Sequence, residues 1–212
     1  EYTTSGECKL LPPGIQRAVC TQVVAIGLQV SEYKGQTKEQ EKVKLRFEFP
    51  DHRIEWEVDG EKKEGPMVIW STYTFSMWHQ SKLYEHICQW LGTALNEIEA
   101  DQFDLDSLIG KPCMATVTHR EYQDKTYANI TSIAPLMANL AVPEPEGDVL
   151  SFNAYSHSQE ELDKLPNWLQ EIVKKGVENK RTKRDEVKVK AEESYKEATA
   201  PADDFKDDDI PF

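Results

Sequence analysis

The chain has 212 residues, with 38 acidic against 25 basic side chains and a formal net charge of −13. No run approaches the ~20 apolar residues of a membrane span, and the opening residues lack the charged, apolar and small-residue zones of a signal peptide, so a soluble intracellular protein is expected. The length allows one domain with a long appendage or two small domains.

The charge is unevenly divided. Residues 1–140 carry 20 acids and 14 bases, whereas residues 141–212 carry 18 and 11, so the last third is about twice as acidic per residue. Four of the five tryptophans and all four cysteines precede Leu140, after which apolar content thins into VPEPEGD. A domain over 1–140 is therefore expected, with an extension over 141–180. Cys8, Cys20, Cys88 and Cys113 form neither a C-x-x-C pair nor a zinc spacing and are expected to be buried free thiols.

Gly14 to Val30 is rich in valine and isoleucine and predicts one long strand, bent near Gly27. Lys42 to Phe49 alternates strictly, with Val43, Leu45, Phe47 and Phe49 on one face and Lys42, Lys44, Arg46 and Glu48 on the other. Asp59-Gly60 and Gly65-Pro66 are turn signals, and a strand from Met67 to Phe75 follows them. The period then changes: Leu83, Ile87, Trp90 and Leu91 form a helical face behind a start signal at Ser76 or Ser81, and Gly92 supplies the stop. After an acidic loop come two strands, GKPCMATVTHREY and KTYANITSIAPL, joined across Asp124-Lys125.

The predicted class is all-β with one or two helices. Five strands interrupted by a helix before the fourth is the order of the OB fold, a small Greek-key barrel. Beyond Leu140 a short helix is expected over 166–175, with Trp168, Leu169, Ile172 and Val173 on one face and Gly176 ending it. Residues 181–202 mix charges with few apolar side chains and predict a disordered linker, or else a charged helix of little intrinsic stability.

Catalytic and metal-binding patterns are missing. His52, His79, His86, His119 and His157 have no ligand spacing, and Glu55, Glu57, Asp59 and Glu61 alternate as on a solvated hairpin. Without a phosphate loop, nucleophile elbow or dinucleotide fingerprint, the expectation is no enzymatic activity, no cofactor and no metal.

The chain ends ADDFKDDDIPF. Asp207, Asp208, Asp209, Ile210, Pro211 and Phe212 resemble the acidic tail of bacterial single-stranded DNA-binding proteins, so residues 203–212 are expected to be a disordered peptide that docks partner proteins. The resemblance implies that the apolar residues and the terminal carboxylate enter a basic-rimmed pocket on the partner while the aspartates steer approach. A second resemblance covers residues 11–176. PPGIQRAVCTQVVAIGLQ, YTFSMWHQSKLYEHICQWLG, FDLDSLIGKPCMATVTH, KTYANITSIAPL and LPNWLQEIV are similar to segments of a bacteriophage-encoded family of single-stranded DNA-binding OB-fold proteins. This implies strand binding without chemistry during DNA replication, recombination and repair in the cytoplasm of a bacterial host, by a monomer or homodimer.

Sequence-tolerant strand binding needs cations to track phosphates and aromatic faces to stack bases. Lys42, Lys44 and Arg46 share a strand face, Lys62 and Lys63 sit near a hairpin tip, and Arg120 and Lys125 flank a turn beside Tyr122 and Tyr127. Trp56, Trp70, Tyr73, Phe75 and Trp78 are further aromatic candidates, although half or more of such strand aromatics should be core. Two other functions fit the same features: an interaction adaptor or decoy of host replication proteins, and a strand-annealing recombination mediator.

Overall fold

The computed structural model describes residues 9–33, 35–58 and 60–199, with the side chains of Tyr33, Val58 and residues 189–199 excepted. In chain order the elements are β1 (Gly14–Tyr33), β2 (Gln36–Val58), β3 (Glu61–Thr74), α1 (Lys82–Leu91), α2 (Glu97–Asp101), a 3-10 turn (Leu105–Leu108), β4 (Pro112–Tyr122), β5 (Lys125–Ala134), β6 (Leu150–Asn153), α3 (Gln159–Asp163) and α4 (Asn167–Thr199). The sheet order is β3-β2-β1-β4-β5, all antiparallel, and β6 adds to β1 in parallel. The sheet curls so that its end strands, β3 and β5, approach one another without pairing.

Two cores lie on opposite faces of this sheet. The inner core takes Val43, Leu45, Phe47 and Phe49 from β2, the alternate positions that the sequence marks as apolar, together with Leu83, Ile87 and Trp90 of α1. The outer core joins Val24 and Ile26 of β1 to Phe152, Leu162, Leu165, Leu169 and Val173 of the C-terminal extension. Strand β1 is therefore covered on both sides. This accounts for its nearly continuous apolar sequence, in contrast with the alternation of β2. The change of composition at Leu140 marks a second layer laid on the sheet, since residues 150–173 pack directly against β1.

Local signals explain the element ends. Ser81 caps α1 by accepting from the Tyr84 N–H at 3.2 Å, and Gly92 closes it in the left-handed conformation at φ 70°. The β4–β5 hairpin turns through Gln123 and Asp124, both with positive φ. Cys20 and Cys113 are buried free thiols, and burial pushes the Cys20 pKa up to about 12. Cys88 is half-buried, and Cys8 lies outside the described residues.

Two local expectations are corrected. Gly65-Pro66 is no turn: both residues continue β3, where Pro66 faces the register shift between Phe49 and Arg53, a place that tolerates a missing N–H. Gly176 does not end its helix, and the charged segment continues α4 to Thr199, the charged helix being one of the two alternatives that its composition leaves open. Ion pairs from Lys180 to Glu41 (3.1 Å) and Lys183 to Glu39 (2.6 Å) tie that continuation to β2.

Gly176 is needed where α4 crosses the Gly27 bulge of β1. A Cβ on Gly176 would lie 2.2 Å from the Ile26 carbonyl oxygen and 2.6 Å from Gln29 Nε2. Gly176→Ala should therefore lower stability by roughly 1–3 kcal/mol, the usual cost of overpacking. A thermal melt checks this, and an unchanged Tm would show that the crossing is looser than described.

Candidate nucleic-acid interface

The outer face of the sheet carries two surfaces of opposite electrostatic character. The first is the seam between β3 and β5. Register pairs Thr118 with Asn129, Arg120 with Tyr127 and Tyr122 with Lys125, so these six side chains share one face of the β4–β5 ribbon. Tyr122 and Tyr127 are exposed at 59% and 45%. Toward the base of the ribbon this face opens into a cavity of about 340 Å³ lined by Trp70, Thr72, Lys82, Thr118, Arg120 and Asn129, among others. Among the described residues neither Lys82 nor Arg120 is held in an ion pair, whereas Arg17, Arg46, Arg53, Lys180 and Lys183 all are.

Lys44 borders this surface. Its Nζ donates to Thr72 Oγ1 at 2.7 Å and lies 5.4 Å from the centre of the Trp168 ring. Burial, reinforced by neighbouring Lys42, holds its pKa below the ordinary lysine value. Lys42 is half-buried on the same β2 face.

The seam is braced from within by α1. His86, 3% exposed, accepts at Nδ1 from the Tyr73 hydroxyl (3.0 Å) and donates from Nε2 to the Thr131 carbonyl (3.1 Å). The carbonyl can only accept, which fixes the neutral tautomer and leaves Nδ1 to receive the phenol proton. One side chain thus links β3 to β5 where the sheet leaves them unpaired. Burial lowers the His86 pKa, with Lys82 acting in the same direction. A histidine that folds with a depressed pKa favours the folded state above its unfolded value of about 6.5. Stability should hold above that pH and fall as acid takes the histidine below it. His86→Phe should flatten this part of the profile in urea titrations from pH 7.5 to 5, and an unchanged slope would exclude His86 as its source.

The second surface is a groove of about 1540 Å³ between the β2–β3 hairpin and the extension. Trp56, Trp70 and Trp168 line it, with Trp70 and Trp168 edge to face at 5.7 Å. Its carboxylates are Glu48, Glu57, Glu64, Glu146, Asp148 and Asp163, against the cations Arg46 and Lys164. Despite its aromatic walls this groove is acidic.

These placements divide the predicted strand contacts. Arg120, Tyr122, Lys125 and Tyr127 share one exposed ribbon face, and Lys44 and Trp70 lie at the near end of its cavity. Lys62 and Lys63 are exposed on the β2–β3 hairpin but pair with Glu57 and Trp56 across the ladder, on alternate faces. Trp56 lies over Gly65, where an added Cβ would meet its ring at 2.8 Å. Phe75 and Trp78 are exposed beyond the end of β3.

Two predicted contacts are structural. Tyr73 is 4% exposed and engaged with His86, so it presents no face for stacking. Arg46 is committed to Glu48, itself 1% exposed, and to Thr21 Oγ1 at 2.8 Å. Glu48 also accepts from the Glu146 N–H at 2.9 Å and the Gly147 N–H at 3.2 Å, so the pair fastens the extension to β2. Lys82, which the sequence reading missed, has no local signal beyond following the helix cap; only the fold carries it to the seam. Asp207 to Phe212 lie outside the described residues.

No helix among the described residues is long and apolar enough to cross a membrane. No protein-family model matches the chain, and no curated protein matches it.

Proposed function

We propose that the curled sheet is an OB-type barrel and that the protein binds single-stranded DNA without sequence preference and without chemistry, in the cytoplasm of a bacterial host. The observation that carries this reading is the ribbon face of Arg120, Tyr122, Lys125 and Tyr127, which runs into the cavity holding Lys82, unpaired among the described residues. Cations and aromatic rings alternate along it, the combination that tracks a backbone while stacking bases of any identity. The strand order β3-β2-β1-β4-β5 with a helix between β3 and β4 supports the fold assignment. The DDDIPF terminus supports recruitment of replication, recombination or repair proteins as the second half of the function.

Titration with oligo-dT should quench tryptophan fluorescence, with affinity falling steeply as salt rises. Absence of binding at low salt would refute the reading. Removing residues 203–212 should tighten binding at low salt, because five acids among the last ten residues compete with phosphate for the same cations. Replacing Phe212 alone should weaken partner docking and spare DNA binding. An adaptor or decoy would capture partners through the tail with no strand binding by the barrel, and an annealing mediator would add strand pairing to binding. The acidic groove favours a protein ligand for that part of the surface, whichever of these holds.

A further inference from the structure

We infer that the groove between the β2–β3 hairpin and the C-terminal extension is a separate docking site for a lysine- or arginine-rich peptide segment of a partner protein. Three observations converge on a cationic occupant rich in N–H groups. The lining carries six carboxylates against two cations; Glu48 is paired with Arg46, and Glu64 and Glu146 with Arg53, which leaves Glu57, Asp148 and Asp163 facing Lys164. Phosphodiesters would meet repulsion there, so a DNA strand is the wrong ligand for this surface despite its tryptophans.

A buried acceptor on the same surface lacks a donor. Gln22, 9% exposed, lines the groove; its Nε2 donates to the Asp148 carbonyl at 2.9 Å, and its Oε1 has no hydrogen-bond partner among the described residues. The acceptor is itself covered, so an occupant meets it only by turning the amide outward, and that occupant must then bring an N–H, which a basic peptide has in abundance and a phosphate lacks.

The aromatic walls accept cations too. Trp168, 44% exposed, already has the Lys44 ammonium 5.4 Å from its ring centre, and Trp70 stands edge-on to it. Guanidinium and ammonium groups are attracted to such faces. At about 1540 Å³ the groove exceeds the usual volume of a small-molecule site and accommodates several residues of an extended chain. The two surfaces meet at Trp70, which lines both, while the ribbon face of Arg120, Tyr122, Lys125 and Tyr127 lies outside the groove, so one molecule can hold DNA and a basic partner at once.

The test uses the full-length protein and a fluorescein-labelled nonapeptide of alternating arginine and glycine. Binding is read by anisotropy for the wild type, for Trp168→Ala, and for the isosteric double variant Glu57→Gln with Asp163→Asn. A charge-matched control, Glu99→Gln with Glu121→Gln, removes two acids outside the groove lining. Affinity should fall at least about tenfold in both groove variants and stay within about twofold in the control. Equal losses in groove and control variants would reduce the effect to the overall field of an acidic protein and overturn the site. Stoichiometric displacement of the peptide by oligo-dT would also overturn it, by making the groove part of the DNA surface. Oligo-dT binding that persists in the groove variants while peptide binding is lost separates the two sites.

Discussion

Arg46→Ala should cost about 3 kcal/mol of stability, the lower end of the range for removing one partner of a buried ion pair. Glu48 is 1% exposed, so without the guanidinium its charge would remain out of water, supported only by the Glu146 and Gly147 N–H groups. Arg46 is itself 18% exposed, which makes the reverse change, Glu48→Gln, the milder of the two because the arginine can turn to solvent. A double variant, Arg46→Met with Glu48→Gln, keeps an acceptor for both N–H groups and removes the stranded charge. It should recover at least half of the loss. Urea unfolding checks all three. Oligo-dT affinity measured where Arg46→Ala remains folded should change little, since the guanidinium is already bonded within the protein. A large, purely DNA-specific defect in a protein of undiminished stability would contradict the structural role.

Lys82→Ala with Arg120→Ala should weaken oligo-dT binding by about tenfold or more at low salt, equally for all base compositions. The slope of log affinity against log salt should become shallower by about 0.7 for each phosphate contact removed. Tyr127→Ala acts differently: loss of one stacked base costs about 1–3 kcal/mol, roughly 5- to 150-fold, with little change in slope. The fold should tolerate each change, because Lys82, Arg120 and Tyr127 are exposed. Lys62→Ala with Lys63→Ala provides the comparison, since that hairpin stands among the carboxylates Glu57 and Glu64. If the hairpin lysines mattered as much as the seam pair, the strand would run over the β2–β3 face instead. The net charge of −13 does not forbid this binding, because seven of the thirteen charges lie beyond residue 140 and the lining of the seam cavity carries Lys82 and Arg120 with no carboxylate.

The mostly-β architecture was legible for a simple reason: alternation in β2 and periodicity in α1 are consequences of local geometry, and each repeats within a few residues. Ser81, Gly92 and the Asp124 turn are likewise signals that a short peptide carries. The ribbon face of Arg120, Tyr122, Lys125 and Tyr127 could be found because a tight hairpin sets its own register.

Lys44 and Arg46 show where such reading stops. Two residues apart on one strand face, they are equivalent in sequence. Yet Lys44 meets Thr72 and Trp168, whereas Arg46 neutralises a carboxylate that also holds residues 146 and 147. Tyr73 resembles any other strand aromatic until His86 arrives from α1 to bind its hydroxyl. Gly176 reads as a helix stop because glycine disfavours helices, but the close crossing over Gly27 overrides that preference.

The sequence by itself determined the order of the first five strands with α1 between the third and fourth, the apolar side of β2, the β4–β5 tip and the acidic DDDIPF terminus, since each depends on neighbours along the chain, whereas β6, α2 and α3 went unpredicted. Only the tertiary structure decided which cations are spent on internal carboxylates and which stand free. It alone brought Lys82 beside Arg120 and gathered three tryptophans into a groove of carboxylates. Those properties depend on contacts between residues far apart in sequence, where burial and pairing set the electrostatics and no local pattern records them.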